Sequence, residues 1–134
     1  MVNPNIALYS IDMNTLRMTT RRIEPDITVV ELTGRITMGA DSRRMEELVL
    51  DLLSQNERKV IFDLSNVEYV DSSGMGSIAY CFGKVMRAEG GFRVAGLTPR
   101  VSDLFKITRM DSVLPAYATV SAACAGFTVA PASG

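Results

Sequence analysis

A junction between a buried strand and an amphipathic helix most strongly limits what this chain can fold into. Residues 59–64 are short and almost continuously apolar, which is typical of a central strand covered on both faces. From Ser73 onward, apolar residues recur at helical spacing and predict a core-facing side: Met75, Ile78, Ala79, Phe82 and Met86. The intervening residues 65–73 are predicted to form a loop that carries an acid and two hydroxyls.

Strands and a helix are also predicted before this junction. Residues 16–22 and 27–32 flank a turn at residues 24–26 and predict an antiparallel hairpin, with Gly34 ending its second strand. Asp41 or Ser42 is a suitable N-cap for the helix that follows. The predicted core side of that helix is Met45, Leu48, Val49, Leu52 and Leu53.

The same alternation continues after the junction. Residues 92–95 predict a strand, and Thr98-Pro99 predicts the cap and first residue of a helix. Val113-Leu114 predicts an edge strand beside Pro115, and residues 120–127 predict a closing helix. Together these elements predict a single α/β domain with a mostly parallel sheet of about five strands, one of them antiparallel, and about four helices. We assign residues 15–128 to this domain, 1–14 to an N-terminal extension and 129–134 to a C-terminal tail.

Composition excludes several functions. The net charge of −1, with no concentrated basic cluster, disfavours nucleic acid as a ligand. The chain has no histidine, so it lacks the commonest general base and metal ligand. Cys81 and Cys124 are far apart and read as buried core residues of a reduced, cytoplasmic protein. We therefore predict no catalytic residue, no metal site and no cofactor.

The C-terminal stretch from residue 112 to 134 carries no charge. Two prolines, a glycine and many alanines dilute it below what a membrane span of about 20 strongly apolar residues requires. The first residues lack the pattern of a secretory signal. We predict no membrane insertion. The stretch covers either this domain's own core or that of a second copy, which leaves a homodimer open.

The predicted loops at residues 33–39, 65–73 and 96–99 all follow carboxyl ends of strands, where open α/β sheets place their functional surface. At the central loop, the helix that follows aims unpaired N–H groups and a partial positive charge at Ser72 and Ser73. A hydroxyl there can receive a phosphate, because a helix N-terminus tolerates the added negative charge. The alternative is that Asp71, Ser72 or Ser73 only caps the helix.

In this setting, the motif Asp71-Ser72-Ser73-Gly74-Met75-Gly76 resembles that of the STAS domain, the module of sulfate-transporter tails and bacterial anti-sigma-factor antagonists. Supporting segments lie in the same order as in that family, and the resemblance covers about residues 16–127. These segments are Glu31-Leu32-Thr33-Gly34-Arg35, residues 60–64, Gly90-Gly91-Phe92, Leu97-Thr98-Pro99 and Leu104-Phe105.

The resemblance implies a protein-binding switch of the stand-alone antagonist type and not an enzyme. It implies phosphorylation of Ser72, with Ser73 as second choice, by an anti-sigma factor that has serine kinase activity and itself binds the ATP and Mg²⁺. The unphosphorylated form would bind that anti-sigma factor and free the sigma factor, and a serine phosphatase would restore it. The implied partner-binding residues are Asp71, Ser72, Ser73, Gly74, Met75, Gly76, Gly34, Arg35 and Thr37.

One departure from the family concerns the loop after the second strand. Related antagonists often carry an Asp near the place that Thr37 takes here, so this loop has one negative charge fewer. Met38 is open between a partner contact and a buried residue, and Met75 is open between core and interface.

Other functions fit less well. A two-component receiver needs an acidic pair after its first strand and a late Lys, which are missing. A hydrolase needs a nucleophile elbow or a histidine base, and Gly74-x-Gly76 is too short for a dinucleotide fingerprint. The main alternative is a constitutive STAS scaffold subunit of a lipid-transport or stress-signalling complex, in which Ser72 acts as a cap and contact residue.

Overall fold

Five strands and four α-helices alternate along residues 16–128, the part of the chain that this computed structural model describes. The strands are β1 (Arg17–Ile23), β2 (Ile27–Ile36), β3 (Lys59–Val70), β4 (Gly91–Ala95) and β5 (Ala116–Tyr117). The helices are α1 (Ala40–Ser54), α2 (Ser72–Arg87), α3 (Pro99–Ile107) and α4 (Val120–Thr128), with a 3-10 turn at Met110–Ser112. The predicted extension at 1–14 and tail at 129–134 lie outside the described residues.

The strands form one sheet in the order β1-β2-β3-β4-β5. β1 is antiparallel to β2, as a tight hairpin requires, and the other neighbouring pairs are parallel. The three parallel connections each contain a helix, and the fourth helix follows β5. The predicted fold class, with its antiparallel first strand, is therefore confirmed.

The two faces of the sheet are covered by different helices. Successive β3 residues point to opposite faces, so Phe62 packs with α1, α2 and α3 while Ile61 packs with α4. The α1–α3 side holds the larger of the two buried clusters. None of the helices within residues 16–128 is long and apolar enough to cross a membrane.

β2 and β3 extend further than the sequence predicts. Gly34 does not end β2, and residues 65–70 belong to β3 instead of a loop. The added residues pair with each other, ending with Ile36 opposite Val70, and the register shifts twice on the way. The second shift falls at Gly34, whose positive φ of 115° accommodates it. β4 pairs with β3 only as far as Asp63. β2 and β3 therefore project beyond β4 as a two-stranded ribbon, and the β3–α2 junction lies at its tip.

The start of α1 differs from the prediction. Gly39 is the N-cap, with no hydrogen bond from a capping side chain. Asp41 instead accepts from the Leu16 N–H at 3.0 Å, and the Ser42 hydroxyl donates to the Thr37 carbonyl. Both proposed caps thus tie α1 to neighbouring segments. At α3 the prediction is confirmed, with Thr98 as N-cap and Pro99 as the first helical residue.

Two further elements differ in detail. Met86 does not face the core, because its side chain is 47% exposed and Cys81 and Val85 take the buried places on α2. The last strand follows Pro115 instead of preceding it, while Leu114 is buried beside the 3-10 turn. Cys81 is buried as predicted, whereas Cys124 is only half-buried; both are free thiols.

Candidate functional site

Asp71 organises the junction between β3 and α2. It is the N-cap of α2, and its Oδ1 accepts a hydrogen bond from the Gly74 N–H at 2.6 Å. Its second oxygen, Oδ2, accepts from the Met38 N–H at 3.3 Å, and its own N–H donates to the Ile36 carbonyl at 3.2 Å. One carboxylate therefore caps the helix and ties it to the segment between β2 and α1.

Ser72 and Ser73 are the first two residues of α2, and both are exposed. Within residues 16–128, neither hydroxyl has a hydrogen-bond partner, since Asp71 performs the capping. The capping-only interpretation of the serines is therefore not what the geometry shows. Both hydroxyls are accessible at the positive end of a 16-residue helix.

Gly74 allows the close approach of α2 to the end of β2. A Cβ atom on Gly74 would lie 2.0 Å from the Ile36 carbonyl oxygen and 2.7 Å from its carbon. At Gly76, a Cβ would meet no atom within 4 Å. The first glycine is thus required by packing, whereas the second faces open space.

The segment between β2 and α1 lies beside the serine junction, as the sequence predicts for residues 33–39. Met38 is 74% exposed, which resolves its open assignment in favour of the surface. Thr37 is half-buried and accepts the Ser42 hydroxyl through its carbonyl. This segment and the start of α2 therefore form one continuous surface, joined by Asp71.

Arg35 and Tyr69 extend this surface along the ribbon. The Arg35 guanidinium lies 5.5 Å from the centre of the Tyr69 ring, within the range of a cation–π contact. Tyr69 is 36% exposed. Sequence reasoning missed Tyr69, because an aromatic residue in a predicted loop gives no sign of its partner in another strand.

The other predicted site residues fall into two groups. Met75 is 4% exposed and belongs to the core, and Gly74 is also buried, so these two shape the junction from beneath. The loop after β4, predicted to share the surface, lies further back along the ribbon. Its Thr98 hydroxyl donates to the Val67 carbonyl at 3.3 Å, three residues before the strand ends.

The group available for chemistry at the junction is an exposed serine hydroxyl, which can take a phosphate. Both Asp71 oxygens already accept backbone N–H groups. Within residues 16–128, no group of three or more His, Cys, Asp or Glu side chains could hold a metal ion. What the junction offers is an accessible hydroxyl at a helix N-terminus that tolerates negative charge.

Residues 19–123 match the family model of the STAS domain. BtrV of Bordetella bronchiseptica, named as an anti-sigma factor antagonist, is 24% identical over 95 residues, which are 71% of this chain and 82% of that protein. A Thermotoga maritima structure named in the same way has a TM-score of 0.76 at 20% identity, covering 81% of this chain and 92% of the other. The Bacillus cell fate determinant SpoIIAA in its phosphorylated form has a TM-score of 0.66 at 14% identity, covering 83% and 99%. These structural matches show the fold, and the family model, which covers most of the chain, shows the family. The chain belongs to the STAS domain family.

Proposed function

We propose that this protein is a non-enzymatic, cytoplasmic anti-sigma-factor antagonist that is switched by phosphorylation of Ser72. Its unphosphorylated form binds an anti-sigma factor with serine kinase activity and releases the sigma factor. The kinase binds the ATP and Mg²⁺ that the reaction needs, and a serine phosphatase removes the phosphate. The observation that carries the proposal is the exposed Ser72 hydroxyl, which has no hydrogen-bond partner among residues 16–128 and begins α2.

Relatives support this function. BtrV and the Thermotoga maritima protein are named as anti-sigma factor antagonists, and SpoIIAA has been solved in a phosphorylated form. The family model covers most of the described domain. A phosphorylation switch is therefore compatible with this fold.

The local geometry supports a modification that leaves the fold intact. Phosphorylation of Ser72 would break none of the hydrogen bonds made by Asp71. It would add about −1.5 to −2 charges and three acceptor oxygens. The helix N-terminus offsets part of that charge by about 0.3–1 kcal/mol. We infer that the modified domain stays folded.

A docked partner responds differently to the same charge. The surface around Ser72 includes the exposed side chains of Met38 and Arg35, so a partner that covers it must remove water from the phosphate. Desolvation and like-charge costs at an interface reach several kcal/mol. Each 1.4 kcal/mol corresponds to about tenfold in affinity. Phosphorylation should therefore abolish partner binding without unfolding the domain.

The proposed contact surface consists of side chains and of backbone. Ser72, Ser73, Arg35 and Thr37 offer side-chain contacts, and Gly76 offers exposed backbone. Gly34, Gly74 and Met75 act by shaping the ribbon and the helix start, and Asp71 holds the two segments together. Thr37, where related proteins often have an acid, makes the surface less negative and should contribute to the choice of partner.

The first test identifies the partner and the modified residue. The wild-type protein and the Ser72→Glu variant are used as baits in the native cell extract, and an anti-sigma factor with a kinase domain should be retained by the wild type alone. That kinase is then purified and incubated with ATP and the wild-type, Ser72→Ala or Ser73→Ala protein. Intact mass should rise by one phosphate for the wild type and Ser73→Ala, and should not change for Ser72→Ala.

The controls separate switching from misfolding. Ser72→Glu should keep the thermal unfolding temperature of the wild type, because the helix N-terminus accommodates an acid. Phosphate incorporation into Ser72→Ala, but not into Ser73→Ala, would show that Ser73 is the modified residue and contradict the assignment to Ser72. Equal retention of a membrane-transport ATPase by both baits would instead support the constitutive scaffold.

A further inference from the structure

A cavity of about 840 Å³ lies at the end of the sheet opposite to Ser72. It is bounded by the starts of β3 and β4, the last turns of α2, the segment before β5, and α4. Its volume falls within the roughly 300–1,000 Å³ typical of small-molecule sites. None of the partner-binding residues proposed above lines it.

The walls of the cavity are largely apolar. Phe92 is buried at its base, where its ring packs edge-on against Phe82 at 6.2 Å between centroids. Met86 and Val113 are 47% and 56% exposed, although both are large and apolar. These exposed side chains border the same cavity, and a bound apolar group would cover them.

Arg93 supplies an unpaired positive charge within this apolar setting. Its guanidinium lies 4.0 Å from the centre of the Phe127 ring and 6.0 Å from that of Tyr117. Its Nε is buried and has no hydrogen-bond partner among the described residues. Within residues 16–128, Arg93 forms no salt bridge with an acid. The Nη1 nitrogen of Arg93 lies beside Gly91, which also lines the cavity, so a bound anion would pair with the guanidinium there and not with the buried Nε.

The charges around the cavity favour an anion as well. Three cations, Arg58, Lys59 and Arg93, line it against two acids, Asp26 and Glu89. Asp26 pairs with Lys59 at 2.9 Å, so its charge is already balanced. Arg58 is exposed at the cavity and forms no salt bridge within the described part of the chain. Arg58 and Arg93 therefore line the cavity without an acidic partner among residues 16–128 and outnumber the one remaining acid, Glu89.

We propose that this cavity binds a small amphipathic anion, with an apolar chain or ring and a single carboxylate or phosphate head. The head group contacts the guanidinium groups of Arg93 and Arg58. The apolar body packs against Phe82, Met86 and Val113. This site is independent of the Ser72 switch, because the two lie at opposite ends of the sheet and share no residue.

The test compares three probes of equal chain length, decanoate, decyl phosphate and decanol, by isothermal titration calorimetry on the full chain. One of the two anions should bind at a single site about tenfold or more tighter than decanol, as expected for hydrogen bonds to a charged group. The stronger anion identifies the head group. Equal affinity for decanol would overturn the role of the charge, and no binding of either anion would overturn the site.

Variants locate the binding. Arg93→Met keeps apolar contact with Phe127 and should weaken anion binding about tenfold while leaving decanol unchanged. Met86→Glu places a negative charge on the exposed wall of the cavity, so it should weaken the binding of both anions even if Arg93→Met folds poorly.

The control variant is Arg43→Met. Arg43 is exposed on α1 and lies outside the cavity, so its substitution should leave anion binding unchanged. Equal losses in Arg43→Met would indicate non-specific attraction. A dimer that Met86→Glu converts to a monomer would assign this surface to a second copy and overturn the proposal.

Discussion

Gly74 and Gly76 occupy opposite environments in the first turns of α2, although only one residue separates them. Gly74 faces the carbonyl of Ile36, and Gly76 faces open space. In the sequence alone, both are simply members of one motif, Asp71 to Gly76. The distinction needs the position of β2, which is 38 residues away from Gly74 in the chain and becomes visible only in the folded structure.

Matched alanine substitutions should therefore have opposite effects on stability. In Gly74→Ala, the new methyl group would lie 2.0 Å from a backbone oxygen, so β2 or α2 must shift. We expect a loss of about 1–3 kcal/mol in the free energy of unfolding, typical of overpacking. Gly76→Ala should gain up to about 1 kcal/mol, because alanine favours the helix. Urea unfolding measures both, and a Gly74→Ala protein as stable as Gly76→Ala would contradict the close approach.

At the scale of elements, the ribbon formed by β2 and β3 decides where the site lies. The four helices and the first four strands followed from local sequence signals, chiefly apolar periodicity, whereas β5 was predicted at residues 113–114 and lies at Ala116–Tyr117. The extension of β3 did not, because residues 65–70 begin with Ser-Asn and bury only Val67 and Val70. That spacing of three does not match the alternation of a strand. It arises from pairing with β2 across register shifts, a long-range effect.

The candidate site was predicted only in part, because some of its contacts join segments that are distant in the sequence. Residues 71–76, which are adjacent in sequence, lie at the predicted strand–helix junction, with Asp71 as N-cap and the rest in the first turns of α2. The link between Asp71 and Met38 spans 33 residues and carries no sequence signature. The sequence left Met75 open between core and interface, and only its burial on the core side of α2 resolves the choice.

Asp71 provides a test of how the two segments are joined. Asp71→Ala removes the cap of α2 and should cost about 0.5–2 kcal/mol in unfolding free energy. Asp71→Asn should cost less, since asparagine also caps helices well. Asparagine keeps only one acceptor oxygen, so both variants should lose the hydrogen bond to the Met38 amide. Amide hydrogen exchange at Met38 should be faster in both.

Asp103→Ala is the control for that experiment. Asp103 is exposed on α3, and its side chain makes no hydrogen bond or salt bridge with any residue from 16 to 128. It should change neither the unfolding free energy beyond a few tenths of a kcal/mol nor the exchange at Met38, as is usual for surface substitutions. Unchanged Met38 exchange in Asp71→Asn would show that one oxygen serves both N–H groups.

For the whole molecule, the switch surface and the cavity are separated by the packed centre of α2. Cys81 lies there, fully buried between the sheet and α1. Burial, with a smaller contribution from the Glu46 carboxylate, raises the pKa of the Cys81 thiol from 9.0 to about 12. The folded protein therefore keeps this proton over a pH range in which the unfolded chain releases it. The pH dependence of the unfolding free energy therefore tests whether Cys81 is buried in the folded protein.

This difference predicts a loss of stability as the pH rises. The contribution of Cys81 is fully present below its unfolded pKa of 9.0 and is lost progressively as the pH approaches 12. Ionisation of the unfolded thiol should lower the unfolding free energy by about 1.4 kcal/mol between pH 8 and 10. Other groups titrate in the same range, so the quantity to measure is the difference between the wild type and Cys81→Ala. Both proteins carry Cys124→Ala, which removes the second thiol and any disulfide exchange.

Cys81→Ala should be less stable at pH 8, because it leaves a small cavity in the α1–α3 cluster. That deficit should shrink by about 1.4 kcal/mol by pH 10, as the unfolded wild-type chain gains the thiolate that the variant lacks. Urea unfolding at half-unit pH steps resolves the change. A constant deficit would mean that the folded thiol ionises as readily as the unfolded one. Burial of Cys81 between the sheet and α1 would then not protect its proton, contrary to the packing at the centre of α2.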